Sequence, residues 1–358
     1  MSDKPEDTDD YSIEVESERE KLKNTLAEEE TEKEIIEKDF IPHFFPTFRI
    51  TRNLYPIPII IAVICAGFLA YATYVLAGIQ VEGGYISEEE YGFTAGLING
   101  LIFVLVAALS SFLIIYLVKK YGIGVLKFVF GFSFGFLGFI LTYFFAEVIS
   151  YVIFYNLPES EIVYTSYDIV SYIILFGSGA FIIFMVYKYF TTKSYLTKNF
   201  FVLYVGFLVG AMFGVIMPLW TTLAILIGFS IWDIFAVKAK RGPIKQMIDI
   251  ASQNNLEKGL SKGELKEKIE SGEAIYDTSK VEIGIGDLAF YSMLTTSALI
   301  ITGNLIVMLL TAIAIIIGTG ITIQGLRKNK ILPGLPISIF LGIGTMLLSW
   351  YIVSILTF

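Results

Sequence analysis

Two aspartates in strongly apolar surroundings, Asp233 and Asp287, are the residues whose type and spacing point most directly to chemistry. Asp233 lies five residues before Lys238, near the end of one apolar segment, and Asp287 lies five residues after Glu282, near the start of the next. If both segments are helices, each carboxyl group lies about 7 Å from the intervening polar loop, because the rise is about 1.5 Å per residue. Consecutive helices that cross a membrane run antiparallel, so we expect the two carboxyl groups to lie at the same depth and to meet.

Two carboxyl groups held together away from water resist joint ionisation, so the pair tends to hold a single proton. The ionised member can take a proton from water, and the protonated member can donate one to a carbonyl oxygen or a leaving amine. This acid–base chemistry is that of an aspartic protease. The same pair could instead serve a proton- or cation-coupled transporter or channel, or each acid could only hold its helix in place. The two residues alone leave these three possibilities open.

The remaining residues exclude several other kinds of catalytic site. Cys65 is the only cysteine and His43 the only histidine, and neither HExxH nor CxxC occurs. A disulfide scaffold is therefore excluded and a zinc site nearly so. Gly177-Ser178-Gly179 resembles the surroundings of a serine nucleophile, but His43 precedes the first apolar segment and cannot activate that serine. We expect neither a metal nor an organic cofactor.

The elements that must position the two acids are long apolar segments. Of the 358 residues, 55% are hydrophobic and 17% are charged, whereas about a quarter of a soluble domain is charged. A helix needs about 20 apolar residues to cross the hydrocarbon layer. Nine segments qualify, at about 56–79, 95–118, 123–146, 168–187, 199–217, 219–237, 283–302, 304–324 and 333–356. They predict an all-α, polytopic membrane protein with nine transmembrane helices.

The distribution of basic residues predicts the orientation of these helices. Lysine and arginine gather on the cytoplasmic side of membrane proteins. If the N-terminus is cytoplasmic, all 26 basic residues fall in the N-terminal segment or in cytoplasmic connections, and the opposite connections carry only acids. We therefore predict a cytoplasmic N-terminus and, with nine crossings, an extracytoplasmic C-terminus.

The charge pattern also divides the chain into four parts. Residues 1–50 form a predicted cytoplasmic tail, which has 16 acidic and 6 basic residues through residue 40 and is expected to be disordered. Residues 51–237 contain the first six helices. Residues 238–282 form a charged cytoplasmic loop, and residues 283–358 contain the last three helices.

A few other residues in the apolar segments have structural explanations. Glu147 and Asp168 lie near the outer ends of the third and fourth segments, where a charge costs little, and Asp168 is expected to cap its helix. Gly206, Gly210 and Gly214 recur every four residues in the fifth segment. Such a stripe of small residues predicts that a neighbouring helix approaches closely.

Three short blocks of sequence surround the two acids and the last segment. They are Trp232-Asp233, Gly284-Ile285-Gly286-Asp287 and Pro333-Gly334-Leu335-Pro336. In order, spacing and placement they resemble the YD, GxGD and PAL motifs of the presenilin-type GxGD intramembrane aspartyl proteases, a family that includes the signal peptide peptidases. Trp232 stands where the family has tyrosine, and Gly334 stands where it has alanine.

The resemblance implies a presenilin-like fold and roles for particular residues. Asp233 and Asp287 would be catalytic, Trp232, Gly284 and Gly286 would support them, and substrate would contact Pro333, Gly334, Leu335 and Pro336. The implied activity is the cleavage of transmembrane protein substrates within the lipid bilayer, with no nucleic-acid partner. The predicted orientation is that of presenilins, whereas signal peptide peptidases are inverted. The compact loops of this sequence resemble those of archaeal homologues. For a prokaryotic protein, the expected location is the cell membrane.

Overall fold

Long apolar helices make up most of the protein in this computed structural model, which describes residues 46–122, 124–192, 194–239, 242, 243, 246, 280–326 and 333–356. Nine helices in these residues have the length and apolar character needed to cross a membrane, which confirms the predicted number. They are α1 (Pro56–Tyr71, continued by a π-helical turn at Ala72–Leu76), α2 (Glu88–Tyr121), α3 (Gly124–Tyr155), α4 (Glu161–Thr191), α5 (Tyr195–Ile216), α6 (Leu219–Lys238), α7 (Ile285–Thr302), α8 (Leu305–Leu326) and α9 (Leu335–Leu356).

Helices α2, α3 and α4 extend beyond their predicted apolar segments, to 34, 32 and 31 residues. Polar flanking residues can continue a helix past the hydrocarbon layer, so hydropathy alone underestimates such helices. As a result, the expected capping role of Asp168 is wrong. Helix α4 begins seven residues earlier, where the Ser160 hydroxyl accepts a hydrogen bond from the Val163 amide, and Asp168 lies exposed within the helix.

Two short breaks separate consecutive helices where the sequence predicts them. Met217 and Pro218 have extended backbone between α5 and α6. Gly303 ends α7 in the left-handed conformation, with φ of 63°, which glycine adopts without a steric penalty. These breaks turn two long apolar runs into two pairs of helices.

A small antiparallel sheet adds to the helices and was not predicted. Strand β1 (Thr47–Thr51) pairs with strand β2 (Lys280–Gly284), with Thr47 opposite Gly284 and Thr51 opposite Lys280. Residues 47–50 of the predicted disordered tail are therefore in a strand, while residues 1–45 and nearly all of the predicted loop lie outside the described residues. Because β1 precedes α1 and β2 precedes α7, both helices begin at the same end of the protein.

Helix α7 is the most buried of the nine helices within the described ranges. Residues Leu288 to Leu299 of this helix are buried with the single exception of Phe290. The glycine stripe of α5 lies against this helix, since a Cβ added at Gly206, Gly210 or Gly214 would meet side chains of Leu288, Ser292 or Thr296, respectively. The stripe therefore brings α5 close to the helix that begins at Asp287, as the small-residue pattern predicts.

Candidate active site

Helices α6 and α7 lie side by side near the two aspartates. The rings of Phe229 and Phe290 contact each other across these helices, with centroids 4.7 Å apart. Phe229 is one helical turn before Asp233, and Phe290 is about one turn after Asp287. Both carboxyl groups therefore lie at one end of this aromatic contact, at similar depth.

Asp287 is held by the start of its own helix. It is the third residue of α7, and its Oδ2 accepts a hydrogen bond of 3.3 Å from the backbone amide of Gly284. A carboxylate at this position satisfies one of the amides left unpaired at a helix start and lies at the positive end of the helix dipole. Gly284 is also the last residue of β2. The Asp287 carboxyl group is thus fixed to the point where a strand becomes a helix.

Asp233 is held by a different helix from its own. Its Oδ2 accepts a hydrogen bond of 3.2 Å from the backbone amide of Leu335, the first residue of α9. The first amides of a helix have no partner within it, so a carboxylate from a neighbouring helix can cap them. Asp233 therefore joins the second-last turn of α6 to the first turn of α9.

Both carboxyl groups contact the same turn of backbone. A Cβ added at Gly334 would lie 3.4 Å from Oδ2 of Asp287, while the next residue donates its amide to Asp233. With standard bond lengths, each Oδ2 lies within about 6 Å of the Gly334 Cα atom. The structure thus brings Asp233, Asp287 and the turn before α9 together.

The other predicted site residues occupy different surroundings. The indole of Trp232 packs against Phe112 of α2, with centroids 6.0 Å apart, and against Phe235. Gly286 is exposed, and a Cβ added there would meet only Phe290, at 4.0 Å.

In the last motif, Pro333 and Gly334 precede α9, whereas Leu335 and Pro336 begin it. Pro333, Leu335 and Pro336 are buried, and Gly334 is half-buried. Only Pro333 and Gly334 of this motif therefore lie outside the helix.

A buried group of hydroxyls lies beside the acids and was not predicted from the sequence. Tyr291 donates a hydrogen bond of 3.2 Å to Ser338 Oγ, which lies 3.1 Å from Thr319 Oγ1. Tyr291 is four residues after Asp287, so a helical pattern places both on the same side of α7. That spacing could have identified Tyr291, but its partners on α8 and α9 have no signal in the sequence.

In chemical terms, the site combines two neighbouring carboxyl groups with backbone amides at two helix starts. Among the described residues, no group of three or more His, Cys, Asp or Glu side chains could hold a metal ion. Neighbouring carboxyl groups of this kind are suited to general acid–base chemistry.

Comparison with known proteins places the chain in a family. The sequence model of the Presenilin family matches residues 80–260 and 256–357. Presenilin-B of Dictyostelium discoideum is 35% identical over 133 residues, which cover 36% of this chain and 25% of that protein. A presenilin-like protein of Arabidopsis thaliana is 24% identical over 328 residues, covering 70% of this chain and 77% of that protein. The presenilin homolog of Drosophila melanogaster is 27% identical over 170 residues, covering 47% of this chain and 29% of that protein.

A solved structure of a presenilin family intramembrane aspartate protease is also similar, with a TM-score of 0.49 and 12% identity over 82% of this chain and 96% of that chain. The nine apolar helices and the family match identify an integral, multi-pass membrane protein. The chain belongs to the presenilin family. Its match to Presenilin-B spans a quarter of the length of that relative.

Proposed function

We propose that the protein is an intramembrane aspartic endopeptidase that cleaves transmembrane helices of membrane-protein substrates. Asp233 and Asp287 activate the water molecule that hydrolyses the peptide bond. The observation that carries the proposal is the meeting of both carboxyl groups at Gly334 and Leu335. Membership in the presenilin family supports the same activity.

The reaction needs one carboxylate and one carboxylic acid. The carboxylate takes a proton from water as the water oxygen attacks the carbonyl carbon of the peptide bond. At the same time, the carboxylic acid gives its proton to the carbonyl oxygen. Proton transfer to the amide nitrogen then allows the C–N bond to break and releases an amine and a carboxylic acid. The amides of Gly284 and Leu335 hydrogen-bond the two carboxyl groups and so hold them in place through the reaction.

The surroundings of Gly286 support access by a substrate. This residue is exposed, one position before Asp287, and the protein leaves open space where a side chain would stand. Glycine allows another backbone to approach closely. A substrate segment that loses its helical hydrogen bonds near this point presents its peptide bond to the acids.

Strand β2 supplies a template for such an extended segment. The backbone of Arg49 bonds to Asn199 rather than to β2. Arg49 faces Glu282 in the antiparallel pair. When one residue of such a facing pair directs its N–H and C=O away from the other strand, its partner does the same, so the N–H and C=O of Glu282 point away from β1. A substrate strand can add at this outer edge of β2. Pro333, Gly334, Leu335 and Pro336 form the opposite wall of the binding site in this proposal.

The test is cleavage of a transmembrane reporter by the purified protein in liposomes. Asp233→Ala and Asp287→Ala should each abolish cleavage, while Asp168→Ala, an exposed acid within α4, should retain it. A transition-state analogue of aspartic proteases should block the wild-type protein. Acid-dependent ion flux without cleavage would overturn the proposal in favour of a transporter or channel. Cleavage that survives either replacement would reject a paired mechanism.

A further inference from the structure

The chain just before α1 is bound to the strand that leads into α7. Residues 46–51, named here the N-terminal strap, consist of Pro46 and β1. Phe48 in the strap and its partner Ile283 in β2 are both buried in the main hydrophobic core. One face of the small sheet therefore packs against the helices, and burial of these two side chains holds the strap in place.

The opposite face of the sheet carries an ion pair. Arg49 faces Glu282 across the strands, and its Nε lies 2.5 Å from Oε1 of that residue. The other oxygen, Oε2, accepts a hydrogen bond of 2.9 Å from the hydroxyl of Thr47. Both side chains of the ion pair are about three-quarters shielded from solvent, with exposed fractions of 21% and 26%. Partial shielding and a second hydrogen bond make such a pair stronger than an ordinary surface ion pair.

The strap is fixed to α5 on its other edge. The side-chain amide of Asn199 donates to the carbonyl oxygen of Arg49 at 2.6 Å, and its oxygen accepts from the Arg49 amide at 2.9 Å. These two bonds complete the edge of β1 as a neighbouring strand would. The position of β1 is therefore set from both sides, by α5 and by β2.

The strap also reaches the helix that carries Asp287. The backbone amide of Ile285, the first residue of α7, donates a hydrogen bond of 3.1 Å to the carbonyl oxygen of Pro46. The preceding amide, that of Gly284, bonds to the Asp287 carboxyl group. Two successive amides thus tie the start of α7 to the strap and to the acid. A shift of the strap would move the backbone that orients Asp287.

We propose that the N-terminal strap positions Asp287 for catalysis and that Arg49 is a positioning residue, acting through Glu282 and β2. The proposal rests on the proposed protease function. Arg49 holds β2 in register, β2 sets the backbone of Gly284 and Ile285, and that backbone orients the carboxyl group. Residues before the first membrane helix are therefore part of the structure that supports the active site.

A charge-exchange experiment tests this role in the full-length protein in liposomes. Arg49→Glu should lower kcat for a transmembrane reporter by on the order of tenfold to a hundredfold, with a smaller change in KM, because small displacements of a catalytic group are costly. Arg52→Glu is the matched control, since it makes the same charge change near the start of α1 but outside the sheet. It should leave kcat close to the wild-type value. The exchange variant Arg49→Glu/Glu282→Arg should recover much of the loss.

Hydrogen exchange gives a second readout that does not depend on cleavage. Arg49→Glu should accelerate exchange of the backbone amides of residues 281–287, and Arg52→Glu should not. The positioning role would be overturned if the two single variants had equal effects on both readouts. It would also be overturned if the charge-exchange variant Arg49→Glu/Glu282→Arg were no more active than Arg49→Glu. If the wild-type protein neither cleaves the reporter nor binds the transition-state analogue, the protease proposal fails. The hydrogen-exchange rates of Arg49→Glu and Arg52→Glu then still decide whether the strap orders β2.

Discussion

Asp233 and Leu335 are 102 residues apart in sequence and are joined by a hydrogen bond of 3.2 Å. The carboxyl group comes from the second-last turn of α6, and the amide is the first of α9. Because the adjacent Gly334 lies against Asp287, this one turn of backbone contacts both acids. The geometry of the pair therefore depends on the start of α9 as much as on α6 and α7.

The pH dependence of cleavage should be bell-shaped. The proposed reaction needs one protonated and one ionised carboxyl group from Asp233 and Asp287. At low pH both are protonated and no base remains, and at high pH both are ionised and no acid remains. We expect kcat/KM for a transmembrane reporter to fall on both sides of a single maximum between about pH 4 and pH 9. A profile that rises or falls throughout this range would contradict paired acid–base catalysis.

Gly334→Ala should retain activity. The added Cβ would lie 3.4 Å from Oδ2 of Asp287, which is ordinary van der Waals contact, and Gly334 does not have positive φ. Gly334→Val adds two methyl groups beside the same oxygen and should reduce kcat strongly, because overpacking costs about 1–3 kcal/mol and displaces neighbours. Initial rates of reporter cleavage by equal amounts of folded protein measure the difference. Equal loss in both variants would show that glycine itself is required.

Tyr291→Phe should reduce activity more than its effect on stability explains. It removes the hydroxyl that donates to Ser338 Oγ and so loosens α9 next to the turn that holds Asp233. The matched control is Tyr204→Phe, which removes a hydroxyl lying 2.8 Å from Thr142 Oγ1, between α5 and α3.

Each loss of a hydrogen bond should cost about 1 kcal/mol. Thermal unfolding should then show similar decreases for Tyr291→Phe and Tyr204→Phe, whereas kcat should fall only for Tyr291→Phe. A parallel fall of kcat in both variants would show that Tyr291 contributes to stability alone.

Gly214→Ala should destabilise the protein, because the added Cβ would lie 2.6 Å from Thr296 Cβ on α7. The clash should cost about 1–3 kcal/mol. Gly177→Ala is the matched control within α4, since no neighbouring atom lies within 4 Å of an added Cβ. It should stabilise its helix by up to about 1 kcal/mol. Opposite shifts in the thermal unfolding temperature in detergent would agree with this packing, and a neutral Gly214→Ala would contradict it.

Most of the helical framework was predictable from hydropathy. The segments 219–237 and 304–324 differ from α6 and α8 by at most two residues at either end. Agreement is close for these two helices because each is little longer than the run of about 20 apolar residues that the hydrocarbon layer requires. The boundaries of α3 and α4 were less predictable, since a helix can continue past its apolar segment and hydropathy does not mark where it ends.

The small sheet was not predictable in the same way. Each strand has five residues, too few for a clear alternating pattern, and the two lie more than 200 residues apart. The register follows from the burial of Phe48 and Ile283 on one face and the Arg49–Glu282 pair on the other. Pairing of this kind depends on which segments the helices bring together, and that information is not local.

By itself, the sequence determined the nine membrane helices and the presence of two acids at similar depth on consecutive helices, because membrane thickness and helical rise convert residue numbers into depth. Only the tertiary structure decided what surrounds those acids. The turn at Gly334, the hydroxyl of Ser338 and the strap residue Arg49 reach the site from remote parts of the chain. Contacts between remote segments form when packed helices bring them together, and no local spacing of residues encodes them.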